Sequence, residues 1–145
     1  MDGVSAVERR QDPCSIVSLT ESVVAARRAH TRRRAFVVDD DPATRRLLGD
    51  VATELGWESE RFATLRSLRA ALERDVPDVI ILDDELPDGR GGDFAIEVRS
   101  STRLRRTPII FCTAAEPTRR REIGRLAPVL GKPFDLARFE RLLDE

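Results

Sequence analysis

From residue 35 onward, short apolar runs alternate with stretches in which apolar residues recur every three or four positions. The first kind reads as a buried strand and the second as an amphipathic helix. Ala35–Val38 predicts a first strand. Pro42–Leu55 predicts a helix with Leu47, Leu48, Val51, Ala52 and Leu55 on one face and Gly56 as its stop. Trp57–Phe62 alternates only in part, as a strand at a sheet edge does. Thr64–Arg74 predicts a second helix turned inward through Leu65, Leu68, Ala71 and Leu72. Val79-Ile80-Ile81-Leu82 is apolar without a break, the mark of a parallel strand buried on both faces. After a Gly-rich loop ending at Gly92, Asp93–Ser100 predicts a third helix, with Phe94, Ile96 and Val98 available to pack. Pro108–Cys112 is the fourth strand, and Thr113 stands at its end. Pro117–Leu126 is a short, Arg-rich fourth helix, and Pro128–Leu130 a short fifth strand. Asp135 caps a last helix with Leu136, Phe139, Leu142 and Leu143 inside. Such a succession of βα units implies a parallel sheet with helices on both faces and right-handed crossovers.

Residues 1–34 do not share this pattern. Residues 1–17 are mixed polar with no clear period, and we expect them to be disordered or weakly ordered. Ser18-Leu19-Thr20-Glu21 has capping-box spacing, and a helix could continue to His30 with Leu19, Val23 and Ala26 as a thin apolar stripe. Arg27, Arg28, Arg32, Arg33 and Arg34 make its end basic. A docking or dimerising helix, or a patch for an acidic partner, is the sharper reading; a solvated, fraying tail is the plainer one and carries more weight. The expected organisation is an N-terminal extension over 1–34 and one domain over 35–145.

Composition narrows the classes. The 145 residues suit one domain, and 41% hydrophobic content is enough for a core. A net charge of −1 argues against a bulk nucleic-acid or membrane-surface binder. No apolar run has the length of a membrane span, and Glu21 interrupts the best apolar stretch near the N-terminus, so no signal-peptide core is present. Cys14 and Cys112 make no disulfide framework. The expectation is a soluble cytoplasmic protein with free thiols, Cys112 being a small core residue.

Candidate chemistry lies where the apolar runs end. The third strand runs into Asp83-Asp84-Glu85, and the first into Asp39-Asp40-Asp41-Pro42. In open α/β sheets the carboxyl ends of the strands are where ligands bind. Carboxylates brought close together repel, and a hard divalent cation such as Mg²⁺ or Mn²⁺ removes that conflict. Asp41 serves equally well as a helix N-cap ahead of Pro42. Among 25 basic residues only Lys132 is a lysine. A site that requires a compact ammonium would keep it, since a planar guanidinium is no substitute.

Taken together, Asp39 and Asp40 after the first strand, Asp83 after the third, Thr113 after the fourth and Lys132-Pro133-Phe134 after the fifth resemble the receiver domain of two-component response regulators. The resemblance covers residues 35–145 and leaves the N-terminal extension unassigned. It implies a flavodoxin-like (βα)5 doubly wound parallel sheet with strand order 2-1-3-4-5. It implies that Asp83 is the phosphoacceptor. Mg²⁺, for which Mn²⁺ can substitute, would be held by Asp40, Asp83 and the backbone carbonyl of Glu85, with Asp39 acting through a water and pairing with Lys132. Thr113 and Lys132 would bind the phosphoryl group, and Lys132–Pro133 would be cis. Two departures stand out. The family usually places an aromatic residue three positions before the lysine, and here that position is Val129. The interval from Thr113 to Lys132 is also short, so the fourth helix should be short or irregular. Glu85 adds an acid beside the pocket, which should alter the lifetime of the phosphate.

The function implied is a single-domain receiver, phosphorylated by a histidine kinase or phosphotransfer protein, with no enzymatic turnover beyond its own phosphotransfer and dephosphorylation. With the chain ending at Glu145, no DNA-binding domain is expected. Output would be contact with another protein through the helix 4–strand 5–helix 5 face, where Arg119, Arg120 and Arg121 lie, from a monomer or weak dimer. The alternative is a receiver-like interaction module whose output does not depend on phosphate, favoured by Val129 and the short fourth helix. A small Mg²⁺-dependent phosphohydrolase is the weakest reading, because little sequence is spare for substrate recognition.

Overall fold

The computed structural model describes residues 32–145, of which residues 33–145 form one compact unit. The helix expected over Ser18–His30 and the stretch before it lie outside the described residues. The strands are β1 (Arg34–Val38), β2 (Glu58–Phe62), β3 (Val79–Leu82), β4 (Ile109–Thr113) and β5 (Val129–Gly131). The helices are α1 (Pro42–Glu54), α2 (Leu65–Leu72), α3 (Gly91–Ser100), α4 (Pro117–Ile123) and α5 (Leu136–Asp144). The strands form one parallel sheet in the order β2-β1-β3-β4-β5, the flavodoxin-like order expected.

Strand alternation divides the core into two layers. Phe36, Val38, Ile80, Leu82, Ile109 and Phe111 face α2 and α3, meeting Leu68, Phe94 and Val98. Val37, Ile81, Ile110 and Cys112 face the other way, toward Leu48 and Ala52 of α1 and Phe139 and Leu143 of α5. Helix starts are written into the sequence. Asp41 accepts from the Thr44 N–H at 3.1 Å and Asp135 from the Ala137 N–H at 2.9 Å, so each caps its helix. Gly56, at φ 95°, ends α1 in a conformation glycine adopts without penalty.

The differences from expectation are local. Leu47 is 44% exposed and Ile96 53%, and Leu55 and Leu136 are also on the surface. The buried stripe of α1 is centred on Leu48 and Ala52, and a neighbour one residue away sits about 100° around the helix. α4 stops at Ile123 rather than Leu126, where the Gly124 N–H closes onto the Arg120 carbonyl at 2.8 Å. α3 starts at Gly91, two residues before Asp93. The loop ahead of it contains an unanticipated antiparallel pairing of Glu85–Leu86 with Gly89–Arg90.

Candidate functional site

The acids are brought together by strand register. β1 and β3 pair Val38 with Leu82, so Asp39 and Asp83 leave the sheet side by side. The ladder runs one step further, with the Asp83 N–H donating to the Val38 carbonyl at 3.0 Å. On the other side of β3, β4 pairs Leu82 with Phe111, and β5 pairs Gly131 with Thr113. The Lys132 N–H donates to the Thr113 carbonyl at 2.8 Å, which starts the lysine from beside the threonine. The Lys132–Pro133 peptide bond is cis.

The Lys132 ammonium reaches across the strand ends to Asp39 Oδ2 at 2.7 Å and Asp83 Oδ2 at 3.2 Å. Asp39 and Asp83 are buried and Asp40 is exposed at the mouth. Carboxylate oxygens of all three acids lie within 4.8 Å of one another. A cluster of hard oxygen donors with one open side fits a small divalent cation and gives a soft metal nothing to prefer. Two backbone donors hold the acids in place. The Asp41 N–H donates to Asp39 Oδ1 at 2.9 Å, and the Glu85 N–H to Asp83 Oδ1 at 3.3 Å.

Burial pushes the Asp39 carboxyl above the ordinary range. The hydrogen bonds from Lys132 and the Asp41 N–H oppose that, and the charge of Asp83 adds to it. At Lys132, burial works against the charged form, but the hydrogen bond to Asp39 and the charges of Asp83 and Asp39 outweigh it and hold its pKa up. The ammonium therefore stays charged because it faces two carboxylates.

The remaining expected residues are placed less uniformly. Thr113 is buried at the end of β4, and its hydroxyl oxygen accepts from the Ala115 N–H at 3.1 Å rather than contacting the acids. Glu85 is exposed on the loop leaving the site. Val129 is half-buried against the core layer of α2 and α3.

Two features were not foreseen. Asp84, next to Asp83, is wholly buried and grips Arg119 of α4 through two hydrogen bonds, from Nε at 2.7 Å and Nη2 at 2.9 Å. Burial pushes the Asp84 carboxyl up, but the bond from Arg119, the Gly92 N–H and the charges of Arg119 and Arg90 hold it below the usual range. Arg120 donates from Nε to the Ala115 carbonyl at 2.6 Å. Arg119 and Arg120 thus turn inward, which corrects the expectation of three arginines on an outer face; Arg121 alone of the three is exposed. The signal was a second acid after a buried strand, but nothing in the sequence pointed to its partner.

Known proteins resemble this chain in sequence and in fold. Transcriptional regulatory protein GltR of Pseudomonas aeruginosa is 35% identical over 118 residues, covering 77% of this chain and 49% of its own length. Nodulation protein W of Bradyrhizobium diazoefficiens is 34% identical over 120 residues, covering 80% of this chain and 50% of its own. The chain thus spans about half the length of these two relatives. The chemotaxis response regulator CheY4 of Vibrio cholerae has the same fold, with a TM-score of 0.68 at 27% identity, over 77% of this chain and 99% of that one. Residues 35–144 match the response regulator receiver domain, and the chain belongs to that family.

Proposed function

We propose that the protein is a phosphorylatable receiver in which Asp83 accepts a phosphoryl group from a histidine kinase or phosphotransfer protein. The observation that carries this reading is the Lys132 ammonium held between Asp39 and Asp83 at the mouth of a three-acid cluster. In the transfer, an Asp83 carboxylate oxygen attacks phosphorus. The phosphorus–nitrogen bond of the donor histidine breaks, and its electron pair stays with the imidazole.

Asp40, Asp83 and the Glu85 carbonyl would hold Mg²⁺, with Asp39 engaged through water; Mn²⁺ suits the same donors. The bound cation supplies positive charge against the phosphoryl oxygens. Lys132 adds an ammonium that already lies 3.2 Å from Asp83. Thr113 accepts from the Ala115 N–H and so has its hydroxyl proton free to donate to a phosphoryl oxygen. No histidine lies among residues 32–145, and none is required, because this reaction depends on neutralised charge more than on an acid or base.

The reading places the protein in the cytoplasm. No described helix is long and apolar enough to cross a membrane. Output would pass to another protein through the α4–β5–α5 face. A phosphate-independent output has one observation in its favour, the aliphatic Val129 in the place of an aromatic; the assembled acid–lysine cluster weighs against it.

The test is intact-protein mass after incubation with acetyl phosphate and Mg²⁺. One added phosphoryl group is expected on the wild type, and none with EDTA or in Asp83→Asn. An equal adduct in Asp83→Asn would place the acceptor elsewhere and overturn the assignment.

A further inference from the structure

Asp84 has no part in the chemistry proposed for Asp83, yet it is 0% exposed and fully engaged. The alternation that sends Ile81 and Leu82 to opposite layers continues through Asp83 and Asp84. Asp83 turns to the lysine and Asp84 turns to α3 and α4. The Asp84 carboxylate accepts from the Gly92 N–H at 2.9 Å and takes both arms of the Arg119 guanidinium. Arg90 stands at 3.5 Å.

The backbone here has little freedom. The Gly91 N–H donates to the Asp84 carbonyl at 2.8 Å, and a Cβ on Gly91 would lie 2.2 Å from the Asp83 carbonyl oxygen. A buried carboxylate deprived of its cation is strongly unfavourable. Loss of Arg119 would leave Asp84 only the Gly92 N–H and the more distant, more exposed Arg90, so movement of α4 is expected to draw on this pair. The next residue, Arg120, ties the same helix to the other half of the site. Its head bonds the Ala115 carbonyl and lies where a Cβ on Gly131, the neighbour of Lys132, would meet Nη1 at 2.3 Å.

We propose that the Arg119–Asp84 pair is the link between α4 and the phosphoacceptor: a change at Asp83 reaches α4 through the neighbouring Asp84 and this pair. The proposal rests on the reading of Asp83 as phosphoacceptor. It gives the fold a route to α4 where Val129 offers an aliphatic side chain in place of an aromatic one. A bidentate guanidinium–carboxylate pair has the fixed geometry that such a link requires.

The experiment is hydrogen exchange of the peptide spanning α4, with and without acetyl phosphate and Mg²⁺, with occupancy of Asp83 read by intact mass in the same samples. In the wild type, phosphorylation should change α4 exchange about fivefold or more, the scale of an ordinary coupling between sites. In Arg119→Met that ratio should fall to near one while Asp83 is still labelled. Asp84→Asn should do the same, and the double variant should do no more than either single. Arg121→Met, on the exposed side of the same helix, should keep the wild-type ratio. If Arg119→Met does not fold, Arg119→Lys retains the charge without the fork and should give an intermediate ratio. A full wild-type ratio in Arg119→Met or Arg119→Lys overturns the link, as does a wild type that is labelled without any change in α4. A wild type that takes no label, beside a control receiver that does, overturns the phosphoacceptor reading and this proposal with it.

Discussion

Replacing Lys132 by methionine removes the ammonium from the acid cluster and keeps most of the side chain's bulk. The ammonium lies 2.7 Å from Asp39 Oδ2 and 3.2 Å from Asp83 Oδ2. The Lys132 side chain is 18% exposed and that of Asp39 1%, so water can replace little of the lost interaction. Breaking a buried ion pair by removing one partner costs about 3–5 kcal/mol. Asp40 opens one side of the cluster to solvent, and one carboxyl can take up a proton, so the lower end, about 3 kcal/mol, is expected near neutral pH. For a domain of this size that is a fall in Tm of about 10 °C. The pH dependence has a definite sign. Burial already raises the Asp39 pKa in the native protein. A carboxyl raised above its unfolded value contributes stability that is complete below that value and is lost as pH rises through the folded one. Without the ammonium the folded value rises further. The deficit of the variant should then grow with pH above the ordinary aspartate range and shrink toward about pH 4. The assay is thermal unfolding of both proteins in EDTA from about pH 5 to 8, repeated with Mg²⁺, which should narrow the gap by restoring a cation to the acids. A variant that melts within about 2 °C of wild type at pH 8 in EDTA, a difference worth under 1 kcal/mol, would refute the argument that Lys132 balances the buried charge.

Other consequences of the packing can be measured directly. Gly91→Ala places a Cβ 2.2 Å from the Asp83 carbonyl oxygen, so urea unfolding should show a loss of about 1–3 kcal/mol together with slower labelling by acetyl phosphate; full stability would mean that the start of α3 yields easily. Burial pushes the Cys112 thiol up to about 12. In a Cys14→Ser background, alkylation at pH 8 should be at least tenfold slower in the native protein than in urea, and equal rates would contradict the burial. Ile81→Ala, at a fully buried position, should lose about 2–5 kcal/mol. Leu47→Ser, on the exposed side of α1, should stay within about 0.5 kcal/mol; similar losses for the two would overturn the assignment of the buried face.

The strands were legible because burial on both faces leaves an unbroken apolar signature, and Val79–Leu82 matches its expected bounds to the residue. That Asp39, Asp40, Asp83 and Lys132 would meet was legible for a related reason. Each stands where such a run ends, and parallel register then sets the ends side by side without further information. Helix faces were less certain. Leu47 and Leu48 both fit a periodic stripe, and only the position of the sheet decides that Leu48 goes inside. The pairing of Asp84 with Arg119 was not legible at all. The residues are 35 apart in sequence, α4 carries three consecutive arginines, and only the packing of α4 selects which of them meets the carboxylate.

That selection changes what α4 can offer a partner. By composition α4 is a basic helix, and a basic helix invites an acidic partner. In the fold, Arg119 is neutralised by Asp84 and Glu122, and Arg120 is turned onto the Ala115 carbonyl. The charge that the composition assigns to the outer face is largely committed to the interior. Any partner that reads this face meets Arg121 and the position of the helix itself more than a field of positive charge. If Asp83 is the phosphoacceptor we propose, specificity for its phosphorylated form is better carried by where α4 sits than by how basic it is, and the contact that ties α4 to the end of β3 is the pair of Arg119 with Asp84, the neighbour of Asp83.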